Sequence, residues 1–299
     1  MGEKLFVVIN PSSGKGRGGA LKQSVLAAFA AAGGELEHAE TRAAGDEARL
    51  AKGAIARGFK TIVAVGGDGT WSNVGDAILG SGAKDVALGL VAAGTGCDLA
   101  KSFGIPARDV AASARVVRDG RTVHIDVGRI EGRHFLNVAG FGYDIAVIED
   151  SWTVRWLKGD LVYLYCALRQ LHRFPGFPVE IEIDGRALGK RELLMLIVAN
   201  GRIFGGGFRI APQASLEDGL LDGMAFGNMG LLRRLKILVG LLRGTHAASP
   251  DVAASRAARY VFRFAAPPAY EVDGEWTRAK SAELSVEVVP RALALRVPA

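Results

Sequence analysis

Three times in its first hundred residues the chain runs an apolar strand straight into a glycine-rich loop. KLFVVI (4–9) leads into NPSSGKGRGG, KTIVAV (60–65) into GGDGT, and VALGLV (86–91) into AAGTGCD. Strands that are apolar along nearly their whole length must be covered on both faces, which favours a parallel sheet flanked by helices. Helix-like stretches from Gly19 to Ala32, from Asp46 to Arg57, after Gly69, and in short pieces up to about Arg118 supply the cover, with ELEHAE (35–40) as a further strand. Every one of the three loops then lies on the same rim of the sheet, at the carboxyl ends of the strands, where such sheets bind ligands.

Glycines allow backbone N–H groups to approach a ligand closely, and the helices that follow add partial positive charge. Phosphate is the natural ligand of such a rim. GKGRGG matches the G-x-G-x-x-G spacing at Gly14, Gly16 and Gly19, but Asn10, Pro11, Ser12 and Ser13 separate it from the strand, so the dinucleotide fingerprint is weak. A Walker A loop would need glycine at the position of Ile9, which disfavours P-loop chemistry. Asp68 is the informative residue of GGDGT. A tight turn alone would explain it, whereas a carboxylate set beside a polyphosphate calls for Mg²⁺ or a task in organising the loop.

From Thr122 the rhythm changes to strand-like runs with polar alternation: TVHIDVGRI, HFLNVAGFG, PVEIEIDG, LLMLIVANG, LLDGMAFG, YVFRFA and AELSVEVV, with one main helix candidate from Val154 to His172. The expected architecture is an α/β domain with a parallel sheet and flanking helices over residues 1–121, then a β-rich antiparallel sandwich over 122–283. The last strand, about 284–299, is free to return to the first domain.

The 299 residues, 49% hydrophobic and 23% charged, are enough for two modest domains. Two cysteines, Cys97 and Cys166, exclude a disulfide framework and a paired zinc spacing, and point to a reducing compartment. No signal-peptide pattern is read in MGEKLFVVIN, and no apolar run approaches the roughly 18 residues of a spanning helix. Of the net charge of +6, the segment from Met229 to Ala299 carries eleven Lys/Arg against six Asp/Glu. That favours an anionic partner such as a phosphate, a nucleic acid or an acidic lipid surface, or else a solvated basic face.

NPSSGKG (10–16), GGDGT (66–70), GTGCD (94–98), NVAGFGYD (137–144), ANGRIFGGGFRIAPQASLEDGLLD (199–222) and VDGE (272–275), in this order, resemble the diacylglycerol kinase catalytic domain family of soluble bacterial lipid kinases, sphingosine kinases and ceramide kinases. GGDGT alone is shared with NAD kinases and phosphofructokinases; the ordered set is more specific. The resemblance implies a two-domain kinase with its site in the interdomain cleft. ATP would be contacted by Asn10, Pro11, Ser12, Ser13 and Gly14, by Thr41, by Gly66, Gly67, Asp68, Gly69, Thr70, Trp71 and Ser72, and by Thr95. Glu275 would be the general base and Asp68 its catalytic partner across the cleft. Ser215, Asp218 and the carbonyl of Leu220 would hold Mg²⁺. Read without the resemblance, Glu275 is a solvated carboxylate in a hairpin turn, and the Asp-Gly of LEDGLLDG is another turn.

This sequence departs from the family pattern in two places. Cys97 stands where an asparagine is usual in GTxND, and Ser72 and Asn73 stand where Asn and Glu are common, which removes a negative charge near the nucleotide. A lipid kinase must also meet its substrate. MGLLRRLKILVGLLRG (229–244) could lie in a membrane interface, with Leu231, Leu232, Leu235, Leu238, Leu241 and Leu242 on one face and Arg233, Arg234, Lys236 and Arg243 on the other, or it is an ordinary surface helix. Trp152, Trp156, Tyr163 and Tyr165 mark a second candidate lid, for which core packing is the commoner explanation. The expected function is ATP- and Mg²⁺-dependent phosphorylation of a hydroxyl of diacylglycerol or a related lipid, by a cytoplasmic protein peripheral to the inner membrane face. Its partner is then a lipid at a membrane surface and not a nucleic acid, with a homodimer left open. The rival expectations are an NAD kinase-like enzyme and a non-catalytic lipid- or nucleotide-binding regulator.

Overall fold

The computed structural model describes residues 4–33, 35–107, 109–157 and 160–299. Met1 to Glu3 of the leader reading, Arg108, and Lys158 and Gly159 within the helix expected over 154–172 lie outside the described residues. The first half alternates β1 (Leu5–Ile9), α1 (Ser13–Ala31), β2 (Leu36–Glu40), α2 (Asp46–Ala56), β3 (Thr61–Gly66), α3 (Asp68–Gly80), β4 (Ala87–Ala92), α4 (Asp98–Ser102) and α5 (Val110–Asp119). Strands β2, β1, β3 and β4 pair in that order, all parallel. Phe6, Val8, Ile62 and Ala64 point into one core, and Leu5, Val7, Ile9, Val63 and Val65 into another. Each strand is thus buried on both faces, as its unbroken apolar run requires.

The second half contains β5 (Arg121–Ile130), β6 (Arg133–Phe135), β7 (Val138–Gly142), α6 (Tyr143–Ser151), α7 (Asp160–Arg173), β8 (Phe177–Ile183), β9 (Arg186–Ala199) and β10 (Leu221–Gly227). It continues with α8 (Leu231–Arg243), β11 (Val252–Ala257), β12 (Arg259–Arg263), β13 (Ala269–Val272), β14 (Glu275–Arg278) and β15 (Glu283–Val297). Its pairings β7–β9, β8–β9, β10–β9, β10–β11, β12–β8 and β13–β14 are all antiparallel. The fold is therefore a mostly parallel α/β domain followed by an antiparallel β sandwich.

The long strand β15 joins the two. Its first part pairs with β12, its last residues lie parallel to β4, and β5 pairs with it over Val286–Val289 and Leu293–Val297. The register with β5 shifts between Val289 and Leu293, where Pro290 cannot donate to a ladder and Arg291 takes φ 49°. One strand thereby serves both sheets, and the cleft opens beside it.

Helices account for three corrections to the expectations. The stretch 143–151 is helical, and α7 begins at Asp160 rather than Val154. Trp152, Trp156 and Tyr163 are exposed instead of packed in a core, Trp156 by 70%, while Tyr165 is partly buried against the indole of Trp156. On α8, Leu241 and Arg234 are buried. The guanidinium of Arg234 donates to the carbonyls of Met229, Leu171 and Phe174 and to Asn228 Oδ1. It closes the C-terminal end of α7 and cannot meet a lipid headgroup. Among the described residues no helix is long and apolar enough to cross a membrane.

Candidate active site

The three glycine loops meet at the rim of the parallel sheet because glycine is the residue that lets their backbones touch. A Cβ on Gly94 would sit 2.5 Å from the Cα of Gly67, and one on Gly14 would sit 2.0 Å from the carbonyl oxygen of Ala93. Gly14, Lys15 and Gly16 are consecutively left-handed, with φ of 58°, 61° and 92°, inside the segment that otherwise begins α1. Successive N–H groups in such a run form a concavity suited to an anion. Asn10 ties two loops together: its amide donates to Thr70 Oγ1 and Glu47 Oε1, both at 3.0 Å, and its Oδ1 accepts the N–H of Ser12.

Asp68 opens α3. Its Oδ1 accepts the N–H groups of Asp98 (2.8 Å) and Leu99 (3.2 Å). Burial, and after it the neighbouring charge of Asp98, push its carboxyl up to about 6, against the pull of those backbone donors. The site is therefore short of positive charge. Asp98 itself is held by Lys101 Nζ and by the N–H of Gly206, and Lys101 also donates to the Gly206 carbonyl. These contacts fasten the 204–208 loop of the second domain to the first.

Glu275 arrives from the opposite side. It follows a two-residue turn, Asp273 (φ 49°) and Gly274 (φ 86°), between β13 and β14, the left-handed pair that a tight hairpin needs. Asp273 Oδ1 accepts the N–H groups of Asn137 and Val138 and its Oδ2 that of Leu136, which anchors the turn on β7. Glu275 Oε1 accepts from Asn73 Nδ2 at 2.9 Å, and its Oε2 contacts Arg133 Nη2 at 2.6 Å. A Cβ on Gly69 would lie 3.2 Å from Glu275 Oε1. The carboxylate thus hangs over the first turn of α3, one residue from Asp68.

Asn10 to Gly14, Gly66 to Thr70 and Thr95 all lie on this rim. Thr41 stands at the end of β2, where its N–H continues the ladder to Ile9 and where a groove of about 550 Å³ is lined by Ala39, Glu40, Thr41, Arg42, Arg49 and Leu50. Trp71 is placed differently from the expectation: it is buried, and its indole N–H donates to the Ala64 carbonyl, so its side chain faces the core, while Ser72, also buried, stands beside Asp273. Cys97 is buried too, its thiol pushed up to about 12 by desolvation and then by Asp68, which makes it an inert packing group.

Ser215, Asp218 and Leu220 offer the oxygen donors of a hard cation. Their arrangement does not fit one: Asp218 Oδ2 is engaged by Arg256 and its Oδ1 by the Leu220 N–H, while Asp222 faces the same guanidinium at 3.8 Å. Arg256 already supplies the positive charge there. No group of three or more His, Cys, Asp or Glu side chains placed to hold a metal ion occurs among the described residues.

Five participants escaped the sequence. Arg133 carried no motif, and Asn73 stood out only as a departure; both hold Glu275. Asp273 and Asp98 were visible inside VDGE and GTGCD, but their tasks of anchoring a turn and a loop were not. Asp126, fully buried, accepts the N–H groups of Gly219 and Arg291 and so fixes the loop beside β15.

Residues 4–130 match the family model described as the diacylglycerol kinase catalytic domain, and residues 137–297 match that described as the YegS C-terminal NAD kinase beta sandwich-like domain. A diacylglycerol kinase of Mycobacterium tuberculosis is 30% identical over 300 residues, covering 99% of this chain and 95% of the relative. The crystal structure of a diacylglycerol kinase from Bacillus anthracis superposes with a TM-score of 0.77 at 21% identity, covering 99% and 97% of the two chains. An NAD kinase from Archaeoglobus fulgidus, in complex with ATP, shares the fold at a TM-score of 0.54 and 12% identity, over 98% and 93%.

Proposed function

The chain belongs to the family of the diacylglycerol kinase catalytic domain, and from that premise we propose that it phosphorylates the free hydroxyl of diacylglycerol at an anionic bilayer surface. It is an ATP-dependent lipid kinase; diacylglycerol is the acceptor in the names of the relatives described above. The observation that carries the assignment of roles is the closeness of Glu275 to Gly69, which sets a second-domain carboxylate against the loop that would hold the nucleotide.

The amides of the 12–16 loop and the first turn of α3 would take the phosphates, and the groove beside Thr41 has room for the nucleoside. Glu275 would accept the proton of the lipid hydroxyl as its oxygen bonds to the γ-phosphorus and the bond to the β-phosphate oxygen breaks. Each of its oxygens keeps a lone pair beyond those used by Asn73 and Arg133. Mg²⁺ arriving with the nucleotide would neutralise phosphate charge next to Asp68, whose excess of negative surroundings suits a cation.

Support for the bilayer comes from the faces of α7 and α8 that the protein leaves uncovered. On α8, Leu231, Leu232, Leu235, Val239 and Leu242 form an exposed stripe, Leu232 by 83%, bordered by exposed Lys236 and Arg243. On α7, Leu161, Leu164 and Leu168 are exposed at helical spacing, with His172 and Arg173 following. Arg234 binds the two helices end to end. Apolar stripes edged by cations suit an anionic leaflet, each cation being worth about 1 kcal/mol near it.

Labelled ATP supplied with vesicles containing diacylglycerol, with a sphingoid base, and with NAD tests the acceptor. Phosphatidate as the main product, identified by mass, is expected; phosphorylated NAD, or no lipid product at all, would overturn the proposal.

A further inference from the structure

Behind the turn that carries Glu275 lie two carboxyl groups for which the reaction above has no use. Asp144 sits in the first turn of α6 and Glu271 on β13, 8% and 1% exposed. Both oxygens of Asp144 and Oε1 of Glu271 have no hydrogen-bond partner among the described residues. They converge on Gly140 of β7, the register partner of Glu271: a Cβ there would fall 2.0 Å from Asp144 Oδ2 and 2.9 Å from Glu271 Oε1. The glycine is what lets the two side chains come together. The remaining oxygen of Glu271, Oε2, accepts the N–H of Gly274 at 2.6 Å, in the turn between Asp273 and Glu275.

Burial raises both carboxyls above the usual range, for Asp144 against the pull of the backbone N–H groups of Ile145 and of Asp144 itself, and for Glu271 the charge of Asp144 is the next cause. The other charged groups bearing on Glu271 are Asp273 from its own turn, which raises it further, and Arg133 from β6, which lowers it. Two carboxylates this close and this dry cannot both stay ionised. One proton placed between Asp144 Oδ2 and Glu271 Oε1 satisfies two of the three orphaned oxygens.

We propose that Asp144 and Glu271 share one proton as a carboxyl–carboxylate pair, and that this pair positions Glu275 by fixing the Asp273–Gly274 turn from beneath. Loss of the shared proton sets two like charges against each other over Gly140, and the strain is relieved by withdrawing Glu271 from Gly274. The base then loses its register over Gly69. Glu271 is a positioning residue: it touches no substrate in this scheme.

The inference about rate rests on the lipid kinase reading; the inference about the proton does not. In Glu271→Gln, the amide can donate to Asp144 while its oxygen still accepts from Gly274, so the variant mimics the proton-sharing state at every pH. In the wild type the folded pair binds a proton that the unfolded chain releases. Its stabilising share is present at low pH and lost as pH rises through the raised folded value. Thermal melts of the two proteins from pH 5 to pH 9 should therefore converge at the acid end and separate at the alkaline end, with Glu271→Gln the more stable. An infrared carbonyl band of a buried protonated carboxyl at neutral pH should be present in the wild type and absent from both Glu271→Gln and Asp144→Asn. The kcat of the wild type should fall about tenfold per pH unit above the pair's apparent value; Glu271→Gln should lose that fall, with KM for ATP unmoved. Parallel melting profiles together with an unchanged infrared band would overturn the pair. Altered melts and band with an unaltered kcat profile would overturn its link to Glu275. Failure to phosphorylate any lipid would strike the kinase reading and leave the pair standing.

Discussion

The two sides of the cleft are built from different materials. On the nucleotide side the contacts are between backbones: Gly67 against Gly94, Gly14 against Ala93, and three left-handed residues in a row. On the acceptor side they are between side-chain carboxylates and their donors: Asp273 on three N–H groups, and Glu275 between Asn73 and Arg133. A backbone-built site leaves no side chain to exchange, so the addition of one methyl group damages binding and fold together. A carboxylate-built site can be altered atom for atom, which separates chemistry from folding.

The largest effect expected on that contrast is Glu275→Gln. It should lower kcat by about 10²–10⁴-fold while the melting temperature and ATP affinity stay put; full activity would remove Glu275 from the role of base. Asp68→Asn should cost about 10²–10³-fold in kcat if the carboxylate organises charge at the phosphates. Because its folded value is raised to about 6, the free protein binds a proton there that the unfolded chain gives up. That contribution to stability is present below the unfolded value and disappears as pH rises through 6. Asp68→Asn should therefore melt higher than the wild type at pH 8 and close to it at pH 4, and the reverse order would show that the carboxylate is not under electrostatic strain.

Gly94→Ala examines the backbone side. The clash with Gly67 should raise KM for ATP about tenfold or more and lower stability by about 1–3 kcal/mol. An unchanged melt with normal KM would mean that the loops are free to part. Leu232→Asp combined with Leu235→Asp should lower turnover on anionic vesicles about tenfold without changing ATP binding, and equal turnover would dismiss α8 as a contact with the bilayer. Smallest of all is Cys97→Asn. Cys97 holds φ 53° and ψ 46°, a conformation that asparagine tolerates better, so a gain of up to about 1 kcal/mol is expected from denaturant titration with activity within about twofold.

How far the site could be read in advance follows the same division. The loops at 10–16, 66–70 and 94–98 are local patterns, strand then glycine then helix, and each element was recognisable within a few residues of its boundaries. The antiparallel runs of the second half were legible from alternation. The exposure of Trp152 and Trp156 and the burial of Arg234 were not, because both depend on which neighbours the helices meet. The turn Asp-Gly at 218–219 looked like a metal site through resemblance, yet its carboxylate went to Arg256 from β11, a partner 38 residues away.

By itself the sequence determined the sheet and the rim, since apolar periodicity and glycine placement act over a few residues and leave the backbone little choice. Tertiary structure alone decided who meets across the cleft. Asn73 and Glu275 are 202 residues apart, and Arg133 and Glu275 142. Contacts at such separation carry no local pattern; they rest on β15 joining the two sheets and on the fastening of the hairpin at Asp273 to β7. The base, its two holders and the buried acids beneath it are therefore properties of the folded molecule.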